Sequence, residues 1–241
     1  MTATLVGLTL RSLLNRRRTL LLALVGVLLV LATLLFRLGG PSDAEALNVT
    51  RRLLGDFGIG VLLPLVAAIV GTAVIGSELD DGTIVYLLAK PIRRWRIVVV
   101  KLLVAWLVVV LLVSPAIAVA GLIGHPDAGL AIGYALAAAF GALEYTAAFL
   151  ALSLVTSRAL VIGLAYVVVW EGVVAGLFAG TRVLSIRQHA LAVADALGGE
   201  AAAAAELGVA VAVAVGVIVV LLATALAVRR LERVELRGET A

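Results

Sequence analysis

The sequence predicts an all-α membrane protein with six transmembrane helices, on three observations. Of 241 residues, 63% are hydrophobic and only 14% charged, with a mean hydropathy of +1.21. An ordinary soluble domain carries about 45–50% apolar and about 25% charged residues. The charges are also bunched between long apolar runs instead of spread as a solvated skin. Those runs approach or exceed the roughly 20 residues a helix needs to cross a ~30 Å hydrocarbon core. A soluble globule and a disordered chain are both excluded. There is no cysteine, hence no disulfide framework, thiolate zinc site or cysteine nucleophile.

The spans are taken in order, as one six-helix domain over residues 1–241. Residues 3–18 read as an amphipathic helix in the headgroup plane or as a plain basic juxtamembrane segment. The first span, 19–38, follows Arg16, Arg17 and Arg18. It is longer than a signal-peptide core of about 7–15 residues and lacks a small-x-small cleavage site, so it should stay uncleaved. Gly39–Asp56 is polar and mixed in charge, which predicts a loop with a short helix. The second and third spans, 57–76 and 98–122, contain Pro64 and Pro115, which should kink them. The fourth and fifth, 129–156 and 159–180, are interrupted only by Glu144 and Glu171 and parted by a tight turn at Ser157–Arg158. The sixth is 207–228. Before it, Val183–Leu197 has apolar residues at helical spacing and stops at Gly198–Gly199. That stretch reads as a helix at the outer leaflet, the alternative being a loose alanine-rich loop.

Basic residues flanking the spans set the orientation. Thirteen fall on one side: Arg11, Arg16–Arg18, Lys90, Arg93, Arg94, Arg96, Arg158, Arg229, Arg230, Arg233 and Arg237. Four fall on the other, Arg51, Arg52, Arg182 and Arg187. Both termini are therefore expected in the cytoplasm, and an even number of spans requires them to share a side. The net charge of +4 is accounted for in this way, with no nucleic-acid partner expected.

Catalytic motifs are missing. A phosphate-binding loop needs a lysine after a glycine, and Lys90 and Lys101 are the only lysines and stand in no such setting. His125 and His189 stand alone in predicted outer loops, where an isolated histidine reads as plain surface, so no metal site is expected. Glu144 and Glu171 are different. An acid within a span costs roughly 2.5–3.5 kcal/mol on insertion scales and usually faces a cavity, a partner or an interface. They are candidates for the transport pathway, for proton relay, or for helix packing.

The informative connection is 77–101, between the second and third spans. Ser77 is a candidate helix N-cap, followed by an acidic patch with Glu78 and Asp80. Gly82–Thr83 opens a short apolar stretch that Lys90–Pro91 ends. The basic, tryptophan-containing segment to Arg96 marks the headgroup level. A helix so short needs a surface to pack against, and a cytoplasmic protein is the expected one.

The pattern Glu78-x3-Gly82-Thr83-x3-Leu87-Leu88-x2-Pro91-x9-Lys101 resembles the permease subunits of type-2 ATP-binding-cassette (ABC) transporters. The six-span layout, the amphipathic start and the long outer segment before the sixth span resemble that family as well. The resemblance implies a half-transporter in a prokaryotic plasma membrane that pairs with a second permease copy and two ABC-type ATPase subunits. ATP and magnesium would be held by the ATPase, with no cofactor in this chain and no enzyme activity of its own. It also implies a short cytoplasmic coupling helix, with Glu78, Asp80, Gly82, Thr83, Leu87, Pro91 and Lys101 as ATPase-coupling residues, and it leans towards export. A proton-coupled secondary transporter using Glu144 and Glu171, and a membrane scaffold without transport, are the alternatives. The cargo is left open.

Overall fold

The computed structural model describes residues 7, 16–80, 93–199, 202 and 205–238. It contains the six expected helices long and apolar enough to cross a membrane: Leu20–Leu38, Asp43–Gly76, Arg94–Gly124, Ala128–Ser153, Ala159–Leu177 and Val209–Arg233. No strand occurs among the described residues. The protein is an all-α membrane protein.

The second span departs most from expectation. Gly39–Asp56 is not mainly loop, because helix begins at Asp43 and runs on into the span. Ser42 and Glu45 form a capping box: the Glu45 amide donates to Ser42 Oγ at 3.4 Å, and the Ser42 amide donates to Glu45 Oε2 at 3.1 Å. Two otherwise unpaired helix-start donors are satisfied in this way. At 1.5 Å per residue, 34 residues extend about 50 Å, against a ~30 Å hydrocarbon core. The first turns, with Asp43, Glu45, Arg51 and Arg52, therefore project beyond the apolar layer. Leu53–Leu62 of this span is wound as a π-helix, closed by the Leu63 amide on the Gly58 carbonyl. Pro64 follows at once and lacks the N–H that would continue regular bonding, which favours an irregular turn before it.

At its other end this helix continues through Asp80, so Ser77 lies inside it and does not cap a new helix. Glu78 and Asp80 sit on that last turn. Gly82, Thr83, Leu87 and Pro91, with the expected coupling helix, lie outside the described residues, as does nearly all of the expected amphipathic segment at 3–18.

The fourth span is the core. Its small residues, Ala131, Gly133, Ala137, Ala138, Gly141 and Ala142, are buried and let neighbouring backbones approach closely. Trp106 of the third span donates to the Ala139 carbonyl at 2.9 Å. The first, fifth and sixth spans lie at the periphery, with leucines and valines such as Leu35, Val161 and Leu222 exposed, as lipid or a partner helix requires. The sixth helix runs past the expected 228 to Gly238.

Between the fifth and sixth spans a 3₁₀ segment, Ala179–Leu184, leads into a helix at Ile186–Gly198, here called the connecting helix. Ser185 caps it, accepting from the Gln188 amide at 3.2 Å. Gly199 ends it with φ +64°, a conformation in which a side chain is strained.

Candidate functional site: a cleft between the second and fifth spans

Both glutamates within the spans reach the connecting helix, and each does so through a different turn. Glu144, fully buried on the fourth span, meets His189, also fully buried. Glu144 Oε2 and His189 Nδ1 are 2.8 Å apart, and His189 Nε2 lies 2.8 Å from the Val183 carbonyl. That carbonyl can only accept, so Nε2 carries a proton and one further proton is shared between Nδ1 and the carboxylate. His189 is thus no surface histidine. It is drawn inwards because it follows Ser185 by one helical turn, and the helix start is itself anchored. Burial alone would lower the affinity of His189 for a proton. The Glu144 hydrogen bond and charge, aided by the Val183 carbonyl and Glu171, outweigh it and raise the pKa above the ordinary 6.5.

Glu171 makes that anchor. It stands on a second π-helical segment, Val167–Val174, in which the Ala175 amide bonds the Trp170 carbonyl. Its Oε1 accepts from the Ile186 amide at 2.9 Å and from the Tyr166 hydroxyl at 3.2 Å, and its Oε2 accepts from the Ser185 hydroxyl. A carboxylate from one helix so caps the start of another, where unpaired amides and the helix dipole favour negative charge. The third tie runs to the second span: Arg187 Nη2 donates to Asp56 Oδ1 at 2.6 Å.

Glu171 and Arg187 also line a cleft of about 380 Å³ between the second and fifth spans. Its walls come from both π-helical segments and their flanks, with Val61, Leu65, Leu164 and Val168 supplying apolar surface. π-Helical turns inside α-helices recur at functional sites, and here two face one another across a cleft. Further along the same two spans lies a second pocket, of about 210 Å³, lined by Thr72, Gly76 and Leu160 together with Ser153, Thr156 and Ser157. The seam between these helices is therefore open at two levels, with a mostly apolar chamber and a more polar one.

Glu144 and Glu171 are thus brought together around one helix, whereas Lys101 lies elsewhere. Only 2% exposed, Lys101 donates to the Val74 carbonyl at 2.8 Å and pins the third span to the end of the second. Asp56, Tyr166, Ser185, Arg187 and His189 carry no motif, and the reading of single residues missed them. The one available signal was Ser185 three residues before Gln188 at the start of an apolar periodicity, a helix-start pattern. Among the described residues no group of three His, Asp or Glu side chains could hold a metal ion.

No curated protein matches the chain. A family model described as ABC-2 family transporter protein matches residues 14–186, well over half of the chain and all of its first five spans. Together with six spans and a cleft between two of them, that match places the function in the membrane: the chain belongs to the ABC-2 family of transporter proteins.

Proposed function

We propose that the chain is the permease half of an ABC exporter in a prokaryotic plasma membrane, that it works as a dimer, and that cargo passes along the seam between its second and fifth spans. The observation that carries this reading is the pair of pockets along that seam, flanked by two π-helical segments. Membership of the ABC-2 family of transporter proteins supports a reading in which ATP and magnesium belong to a separate ATPase, two copies of which would serve the dimer. The ATPase docks on residues 77–91, with both chain termini on its side of the membrane, as the charge bias requires. Lys101 is buried against Val74, so its part in coupling is to transmit force from that end of the second span, not to touch the ATPase. Glu144 and Glu171 are bonded to the connecting helix, which favours an anchoring role over a proton relay.

The test separates coupling from insertion. Glu78→Arg removes a carboxylate able to make a charge-assisted hydrogen bond worth about 1.5–3 kcal/mol, and Gly82→Val places a β-branched residue where the sequence predicts a glycine-dependent turn. Both variants should insert normally yet lose most ATPase pull-down and ATP hydrolysis in reconstituted membranes. Arg94→Gln, at the headgroup level, should be far milder. Undiminished coupling in both loop variants would make residues 77–91 a simple connector and bring the secondary-transporter reading forward.

A further inference from the structure

The hydrogen-bonding groups that line the cleft are unequally engaged. Glu171 has three of its roughly four acceptor positions filled, by Tyr166, Ser185 and Ile186. It is committed to the connecting helix. Arg187 is not: of its five N–H donors, one meets Asp56, while Nε is buried without a partner. Its guanidinium lies across Gly60, where a Cβ would stand 3.1 Å from Nε, so the missing side chain leaves the group room. Asp56 is itself 69% exposed at the rim, and an ion pair so placed contributes little because solvent screens it. The unused capacity of the cleft is therefore donor capacity on a cation, next to apolar walls.

Resting on the reading of this seam as the cargo route, we propose that the cleft binds an anionic single-chain amphiphile. Its acidic head pairs with Arg187 in place of Asp56, and its chain lies along Val61, Leu65, Leu164 and Val168. The guanidinium fork matches phosphate and carboxylate oxygens, so Arg187 sets the preference for the head. A volume of about 380 Å³ falls in the usual small-molecule range of about 300–1,000 Å³, at its lower end, which suits one chain better than two. Asp56 acts as a resident placeholder: it holds the guanidinium in position when the cleft is empty and swings into solvent when a head arrives. Glu171, held by its three donors, stays in place.

The test uses the full chain in phosphatidylcholine nanodiscs and a fluorophore-tagged alkyl phosphate. An untagged alkyl phosphate should compete, whereas the matching alkyl alcohol and alkyl trimethylammonium should not. Arg187→Gln should weaken binding about tenfold or more, and Arg187→Lys should restore part of it. Asp56→Asn should tighten binding; a pair that merely holds the fold would give the opposite sign. Equal competition by the ammonium compound, or weaker binding in Asp56→Asn, would overturn the proposal, and neither measurement needs the Arg187→Gln variant to fold. Repeating the assay with lysophosphatidylglycerol, an anionic lipid of one chain, in the disc identifies the source: displacement of the probe names a single-chain bilayer lipid, and no displacement names a free amphiphile. Because binding is read without ATPase, the two readings fail separately. Binding at Arg187 without stimulation of ATP hydrolysis would sink the cargo route alone, whereas transport without such binding would sink the site alone.

Discussion

At the scale of single residues, the protein meets the cost of acids within its membrane spans by giving each acid a partner on one short helix. Glu171 takes three donors and Glu144 takes His189, whereas Glu144 Oε1 is left without a partner beside the sixth span. There a Cβ on Gly216 would stand 2.6 Å from that oxygen, so only glycine lets the sixth helix come this close. The His189 pair carries a pH signature whose sign is fixed. Because the folded state raises the His189 pKa, the stability it contributes is present in full below 6.5 and is lost as pH rises through the higher folded value. Glu144 and Glu171 are the charged groups responsible. His189→Gln should therefore lower the thermal midpoint most below about pH 6.5, by a cost of roughly 1–3 kcal/mol, and the gap to wild type should narrow as pH rises through the raised folded value. A gap of the same size at every pH would mean that the pair shares no titrating proton. None of this was legible in the sequence, where His189 has no ligand-like neighbour and its partner lies 45 positions away.

At the scale of elements, apolar periodicity was enough to find the spans, and local chemistry decided where they begin. The capping box at Ser42 and Glu45 was written in the sequence, yet polarity argued for a loop there, and the cap prevailed because helix starts tolerate charge. The π-helical turns at 53–62 and 167–174 could not be read, since they depend on packing as well as on residue type. The connecting helix shows how much of an element is tertiary. Its apolar spacing predicted a helix at Val183–Leu197, and the structure begins it at Ile186, where Ser185 and Glu171 supply acceptors for its first amides. Its far end rests on the fourth span, where a Cβ at Gly133 would stand 2.6 Å from the Gly198 nitrogen. Gly133→Val must push these backbones apart, at about 1–3 kcal/mol for overpacking. The expected result is selective: external trypsin should spare Arg187 in wild-type membranes and cleave there readily in Gly133→Val. Rapid cleavage of the wild type would show that the three ties do not hold this helix down.

At the scale of the whole molecule, the fourth span, the second, the third and the connecting helix form a packed interior, and the first, fifth and sixth spans present apolar surface outwards. The composition made this class of protein legible at once. The cleft was not, because its walls come from spans a hundred residues apart and from Arg187, a residue that the charge count treats only as one of four on the minority side. Orientation links the two levels, since the proposed route needs the connecting helix on the face opposite the ATPase. A chain without cysteine makes that testable with single thiols. Ala44 and Leu197 are exposed at the helix that begins the second span and at the end of the connecting helix, and Ser157 is exposed in the turn between the fourth and fifth spans. Ala44→Cys and Leu197→Cys should react with a membrane-impermeant thiol reagent in sealed cells, and Ser157→Cys only after permeabilisation. The inverse pattern would place the basic turn outside, against the 13-to-4 bias, and would leave residues 77–91 on the wrong side of the membrane to meet an ATPase.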